Sequence, residues 1–144
     1  MERSVARAND AVIQRLRRYV VEAAKQCGRN LLMEITNEVP MSKLNNFLAT
    51  ASTTASTTET TTAKFLLHPV ALGHIGQTTA QQVLTNELPE KIAILAGPEG
   101  SFTDQEVDLA LRDGFVPLDL GKRILRTETA CIAAAAVFLI SNDF

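Results

Sequence analysis

Apolar residues recur along this chain at two spacings, and the spacing separates helices from strands. From Asp10 to Cys27 they come every three or four residues, which predicts an amphipathic helix. Asn9 or Asp10 can cap its start, and Gly28 can end it. The predicted buried stripe consists of Val12, Ile13, Leu16, Val20, Ala23, Ala24 and Cys27.

Short apolar runs predict three strands, at residues 64–68, 91–96 and 115–120. Pro69 ends the first of them, and the second runs directly into the turn Gly97-Pro98-Glu99-Gly100. Thr103 and Glu106 then form a capping box for a helix that reaches about Asp113 and stops at Gly114. This order of strand, glycine turn and helix allows main-chain N–H groups to approach a ligand at the end of a sheet.

The last apolar run, residues 130–140, contains no polar residue except Cys131 and predicts a helix without a water-facing side. Such a helix belongs inside the fold or between subunits, and it is too short to span a membrane. Thr127 is its predicted N-cap, with Glu128 in the first turn. Two shorter helices are predicted at 42–48, capped by Ser42, and at 78–88, with Thr78 and Gln81 as a capping box.

Residues 49–63 are all Ala, Ser or Thr apart from Glu59. A segment of this composition offers too little apolar surface to order itself, so it predicts a mobile surface loop. No chemistry is assigned to it.

The chain of 144 residues is long enough for one domain, and its net charge of −2 is unevenly distributed. Residues 1–30 hold seven Lys and Arg against three Asp and Glu, which suits either RNA or a solvated helix face. The N-terminus is charged and has no apolar core typical of a signal peptide. Together with two cysteines in apolar helical settings, this predicts a reducing, cytoplasmic location.

The candidate chemistry lies at the carboxyl ends of the predicted strands. The Gly97–Gly100 segment is either a ligand loop or a plain turn, because the chain has neither a P-loop lysine at the right spacing nor a GxGxxG motif. His68 ends the first strand and is either a pocket residue or a polar residue satisfied at a strand terminus. The two histidines and two cysteines lack metal-ligand spacing, so no metal site is predicted.

Four segments together carry a family resemblance: AGPEGSFTDQE, LDLGKRILRTETA, AAKQCGRN and LHP. They resemble the small-subunit ribosomal RNA uridine-N3 methyltransferases of the SPOUT superfamily over roughly residues 2–138. The resemblance implies an α/β fold, with a mostly parallel sheet, helices on both faces and a C-terminal trefoil knot. It also implies a homodimer that binds S-adenosylmethionine and methylates uridine N3 in 16S ribosomal RNA of the small ribosomal subunit.

The resemblance assigns roles to residues of this chain. Arg126 would stabilise charge on the uracil oxygens, and Glu99 or Glu128 would accept a proton, although a loop salt bridge or helix-end stabilisation explains these carboxylates equally well. Arg29, Arg123 and Arg126 would contact RNA. The cofactor would meet His68, Leu95, Gly97, Pro98, Gly100, Leu118, Leu120, Gly121, Ile124, Leu125 and Thr129.

The chain departs from the family pattern in what precedes it. Family members usually carry an N-terminal RNA-binding barrel and a first strand–helix–strand, and the resemblance implies that this sequence begins after both. Ser101 stands where glycine is usual, and Lys122 where proline is usual. Two alternatives to a working enzyme therefore stay open: a dimeric module that binds cofactor or RNA without turnover, and a structural remnant that does not fold stably alone.

Overall fold

The computed structural model describes residues 9–52, 62–68, 78–85, 87 and 91–142. These residues form two compact units, one over 9–40 and one from residue 41 onward. The prediction of one domain stays a prediction. The first unit has a single regular element, the helix α1 (Asp10–Cys27), followed by residues 28–40 without helix or strand.

Helix α1 begins and ends as its sequence predicts. The Asn9 side chain accepts a hydrogen bond from the Val12 N–H at 3.0 Å, and Gly28 takes the left-handed conformation at φ 66°. The Arg17 guanidinium donates to the Ile35 carbonyl at 3.1 Å and thus links the following segment to the helix. The predicted buried stripe is largely wrong: of its seven residues, only Ile13 and Ala24 are buried. Periodicity identifies which face is apolar, but burial needs a partner surface.

The second unit is built on a four-stranded parallel sheet with strand order β2-β4-β1-β3. Its strands are β1 (Thr62–Leu67), β2 (Thr78–Thr79), β3 (Lys91–Ala96) and β4 (Val116–Asp119). Phe65 of β1 lies opposite both Ile94 of β3 and Val116 of β4, so β1 is central. Strand β3 is less buried than its apolar sequence predicts, with Ile94 37% exposed, because β1 is its one neighbour among the described strands.

Helices cover both faces of the sheet, which confirms the predicted α/β class with a parallel sheet. They are α2 (Leu44–Ser52), α3 (Ala80–Thr85), α4 (Asp104–Arg112) and α5 (Thr127–Asn142), with a 3-10 turn at Met41–Lys43 before α2. Phe65 packs with Val83 of α3 and with Phe138 of α5, whose ring centroid lies 4.8 Å away. Leu66 packs on the other face with Val107 and Ala110 of α4. Successive residues of β1 therefore serve two separate cores.

Several predicted boundaries are displaced in the structure. Residues 49–52 of the predicted loop belong to α2, residues 62–63 belong to β1, and 53–61 lie outside the described residues. The capping pair of α3 is Thr79 and Gln82, one residue after the predicted pair. Strand β2 was not predicted, because two threonines give no periodicity; they are placed only by pairing with Leu118 and Asp119.

Helix α5 confirms the predicted C-terminal helix, and the described residues cover it on one side only. Ala134 and Phe138 are buried, whereas Ile132 and Leu139 are 71% and 68% exposed. The exposed positions follow helical spacing and form an apolar stripe. Of the two predicted settings, the described residues do not place the helix wholly inside the fold, and a place between subunits stays a prediction.

Candidate functional site

The candidate site lies at one edge of the sheet, where three strands end. Strands β1, β3 and β4 run parallel, so the residues after Leu67, Ala96 and Asp119 emerge on the same edge. They are His68, the segment 97–103 and the segment 120–126. This is the edge at which open α/β sheets bind ligands.

The segment after β3 is held by local hydrogen bonds. The Ser101 N–H donates to the Pro98 carbonyl at 2.8 Å and closes a turn over Glu99 and Gly100. The predicted capping box is confirmed, because Thr103 accepts from the Glu106 N–H while the Glu106 carboxylate accepts from the Thr103 N–H at 3.0 Å. The turn is thus a rigid entry to α4.

Gly97 is required by its own neighbours in the fold. A Cβ at this position would lie 3.0 Å from the Phe102 ring, tighter than nine in ten real Cβ contacts, so the ring would have to shift by a few tenths of an ångström. Packing thus gives one reason for this glycine, and the sequence-based reason, room for a cofactor, stays a prediction. Phe102 is 2% exposed and belongs to the core on the α4 face, so the ring cannot easily move away.

A side-chain hydrogen bond joins the segment after β3 to the start of α5. The Thr127 hydroxyl donates to the Gly97 carbonyl at 2.8 Å, across thirty positions of sequence. The prediction of Thr127 as N-cap is wrong by one position: Thr127 is the first helical residue, and the Arg126 carbonyl accepts from the Ala130 N–H at 2.8 Å. No sequence pattern could have revealed the contact, because the two residues lie in different elements.

His68 is buried at the carboxyl end of β1, and its ring lies 5.8 Å from that of Phe102. Burial lowers the pKa of His68 because it removes water from the charged imidazolium, and the Asp104 carboxylate partly opposes this by attraction. The imidazole is thus a part of the packed wall next to the glycine turn. Its predicted contact with the cofactor stays a prediction.

The segment after β4 begins with a tight turn and continues with exposed basic side chains. The Asp119 carboxylate accepts from the Gly121 N–H at 2.7 Å, and Gly121 has φ 110°, which favours glycine. No atom of the described residues lies within 4 Å of the position that a Gly121 Cβ would occupy. Arg123 and Arg126 are both exposed on this segment. The backbone of this turn and the two positively charged side chains are therefore accessible from outside.

The predicted site residues do not all lie together in the structure. Leu118 and Leu120 pack with the Phe65 core and Leu95 with the Phe102 core, so these leucines do not form one wall. Ile124 is 83% exposed, and Arg29 is an exposed residue of the first unit. The remaining predicted residues lie on the segments at the sheet edge or at the start of α5: the half-buried Pro98 and Leu125, and the exposed Glu99, Gly100, Glu128 and Thr129.

Within the described residues, no group of three or more His, Cys, Asp and Glu side chains could hold a metal ion. Helices that could cross a membrane are likewise absent from the part of the chain that the structure describes.

Ser101 carries backbone strain next to the glycine turn, with φ 62° in the left-handed region. For residues other than glycine, this conformation costs roughly 1–2 kcal/mol. Ser101→Gly should therefore raise the free energy of unfolding by about 1 kcal/mol, measured by urea denaturation. Ser42→Gly, at a position without positive φ, should lower it by roughly 0.5 kcal/mol. If both substitutions changed the free energy of unfolding equally, the backbone at Ser101 would not be strained.

The lowered pKa of His68 makes stability depend on pH. The unfolded chain takes up a proton on this imidazole near pH 6.5, whereas the folded chain does so only at lower pH. The free energy of unfolding should therefore fall as pH decreases from about 6.5 toward the folded pKa. His68→Gln should flatten this part of the profile, which urea titrations at a series of pH values would measure. An unchanged slope would refute the role of His68.

This chain is similar to a known protein family and to curated proteins. The model of a family described as RNA methyltransferase domain matches residues 1–139. Ribosomal RNA small subunit methyltransferase E of Synechocystis is 33% identical over 135 residues, covering 94% of this chain and 41% of that protein. The protein of the same name from Buchnera aphidicola is 37% identical over 127 residues, covering 84% and 42%. The chain thus spans less than half the length of these curated relatives.

Solved structures show the same fold. A putative methyltransferase from Legionella pneumophila, solved with its cofactor SAM, superimposes with a TM-score of 0.69 at 29% identity, over 96% of this chain and 51% of that one. A ribosomal RNA small subunit methyltransferase E from Neisseria gonorrhoeae, at 24% identity, gives 0.68 over 99% and 52%, a likeness of fold alone. With nearly its whole length matched by the family model, this chain belongs to the RNA methyltransferase domain family.

Proposed function

We propose that this chain binds S-adenosylmethionine at the sheet edge and takes part in methylating uridine N3 of 16S ribosomal RNA. The proposal rests on one observation: the Thr127–Gly97 hydrogen bond joins the glycine turn after β3 to the start of α5. The exposed Arg126 immediately precedes that contact. Family membership and the SAM-bound Legionella relative support the choice of cofactor.

The residues at this edge fit an adenosyl cofactor. Ligand sites of this kind combine apolar surface with a few main-chain polar groups, and Pro98, Leu120 and Leu125 are half-buried here beside two glycine turns. The open space next to Gly121 leaves its backbone accessible. We assign the holding of the cofactor to the segments 97–100 and 120–125, with His68 in the wall behind the first.

Arg126 supplies what methylation of uracil N3 requires from the protein. When bound, S-adenosylmethionine provides a methyl group activated by its sulfonium, so that the N–C bond forms as the S–C bond breaks and its electrons stay on sulfur. Loss of the N3 proton leaves negative charge on the uracil oxygens, and the exposed Arg126 guanidinium is suited to stabilise it. Arg123 and Arg29, also exposed, add attraction for RNA phosphates.

The N3 proton must pass to a base for the reaction to balance, and a carboxylate is one group that can accept it. Glu99 in the turn and Glu128 in the first turn of α5 are both exposed at this end of the fold. We assign the proton to one of these two groups. Comparing Glu99→Gln with Glu128→Gln in methyl transfer would identify the one that acts.

We further propose that two copies associate through α5. The exposed stripe of Ile132, Ala135, Ala136 and Leu139 is apolar, and the small alanines allow a second helix to approach closely. A homodimer would cover the face that one copy leaves open. Sedimentation velocity should then give about twice the mass of 15.6 kDa. The family resemblance adds a trefoil knot in the segment leading into α5 and a bacterial cytoplasmic location, where small ribosomal subunits are assembled.

Two measurements test the proposed function. Calorimetric titration should detect binding of S-adenosylmethionine, and labelled methyl should appear in small ribosomal subunits that lack the modification. Binding without transfer, under single-turnover conditions with excess protein, would favour the non-catalytic module instead. A chain that binds neither cofactor nor subunit would refute the proposal.

A further inference from the structure

The Gly97 peptide is held from two sides by side chains that come from different parts of the fold. Its Cα faces the Phe102 ring so closely that a Cβ would lie 3.0 Å from the ring. Its carbonyl accepts the Thr127 hydroxyl at 2.8 Å. The ring anchors the turn to the core behind it, whereas the hydroxyl anchors the turn to the helix that follows the arginine segment.

The second contact fixes more than one residue. Thr127 is the first residue of α5, and the preceding Arg126 carbonyl is already bonded to the Ala130 N–H. The main chain that directly follows Arg126 is therefore tied twice, through the Arg126 carbonyl to the helix and through the Thr127 hydroxyl to Gly97. Both Thr127 and Gly97 are half-buried, so water competes for this hydrogen bond less than at an exposed site.

We infer that Thr127 is a positioning residue, which couples the cofactor turn at residues 97–100 to the arginine segment at 121–126. This rests on the proposed function. Thr127 acts through Gly97 and Arg126: it sets where the cofactor turn lies relative to the guanidinium. Small displacements of such groups can cost on the order of a hundredfold in rate. The hydroxyl has this role and the methyl group does not.

Thr127→Val and Thr127→Ser separate the hydroxyl from the shape of the side chain. Valine keeps the shape and removes the donor, whereas serine keeps the donor. In Thr127→Val, amide hydrogen exchange should accelerate locally at 97–101. The Kd for S-adenosylmethionine should rise about three- to tenfold, because binding must then also order a turn that the hydrogen bond no longer holds; about tenfold corresponds to the whole free energy of one hydrogen bond. In Thr127→Ser, both quantities should stay within about threefold of the unaltered chain.

The outcomes distinguish this inference from the proposed function. If the unaltered chain binds S-adenosylmethionine and Thr127→Val binds it equally well, the coupling is overturned and the function stands. Faster exchange spread evenly over the sheet, with the Kd unchanged, would show a merely structural role and also overturn it. If the unaltered chain does not bind S-adenosylmethionine, both fall. Should Thr127→Val not fold, Thr127→Ala is measured in its place, and a serine variant as impaired as alanine would overturn the role of the hydroxyl.

Discussion

Arg126→Ala should lower methyl transfer to small ribosomal subunits by roughly a hundredfold or more, with little change in the Kd for S-adenosylmethionine. Removing one preorganised donor to a developing oxyanion typically costs about 100- to 1,000-fold in rate. The exposed guanidinium has no role in the cores of this fold, so the variant should keep its free energy of unfolding. Single-turnover transfer of labelled methyl measures the rate, and calorimetry measures the Kd.

Arg123→Ala is the matched control, since Arg123 is exposed on the same segment and carries the same charge. If Arg123 contacts an RNA phosphate, its removal should weaken RNA binding and reduce the salt dependence of that binding. The rate at saturating RNA should stay close to that of the unaltered chain. Full activity of Arg126→Ala would reject the proposed role of this residue. Equal losses in both variants would indicate that Arg126 contributes only general attraction for RNA.

Phe102→Ala should lower the free energy of unfolding by about 3–5 kcal/mol. The ring is 2% exposed and packs with Leu66, Val107 and Ala110 on the α4 face. A loss of this size is comparable to the whole stability of a marginal domain, so the variant should be partly unfolded at 37 °C. Urea denaturation at low temperature measures it, and Phe102→Leu, which keeps more of the volume, should cost much less.

A double-mutant cycle tests whether the same ring is the reason for Gly97. Gly97→Ala alone should be destabilising, because its Cβ would lie 3.0 Å from Phe102. In the Phe102→Ala background that clash is absent, so the same change at position 97 should be nearly neutral. An equal cost of Gly97→Ala in both backgrounds would contradict the packing explanation and favour a requirement of the backbone itself.

Local sequence signals were reliable wherever neighbouring residues determine the structure. The Asn9 cap, the Gly28 stop and the Thr103–Glu106 capping box are all confirmed, since each is a hydrogen bond or a backbone conformation within one turn. The strand Lys91–Ala96 and the C-terminal helix were also predicted, because each is a run of apolar residues of suitable length. The family resemblance, carried in part by residues at the sheet edge, is confirmed at the level of an RNA methyltransferase domain.

Burial and contacts across the fold could not be predicted in the same way. The apolar stripe of α1 and strand β3 were expected to be buried, but most of the α1 stripe is not, and β3 lies at the sheet edge. Strand β2 exists only because Thr78 and Thr79 pair with β4. Periodicity indicates which residues share a face of a helix or strand. What covers that face is determined only when the chain has folded.

The sequence by itself determined the α/β class, the presence of most helices and strands, and the membership of an RNA methyltransferase family, because these depend on local hydrogen bonding, apolar spacing and short motifs. Tertiary structure alone decided how the site is held together. It placed the Phe102 ring against Gly97, and it brought the Thr127 hydroxyl to a carbonyl thirty positions away. The physical reason is that parallel strands bring their carboxyl ends to one edge, so residues distant in sequence become neighbours only once the sheet has formed.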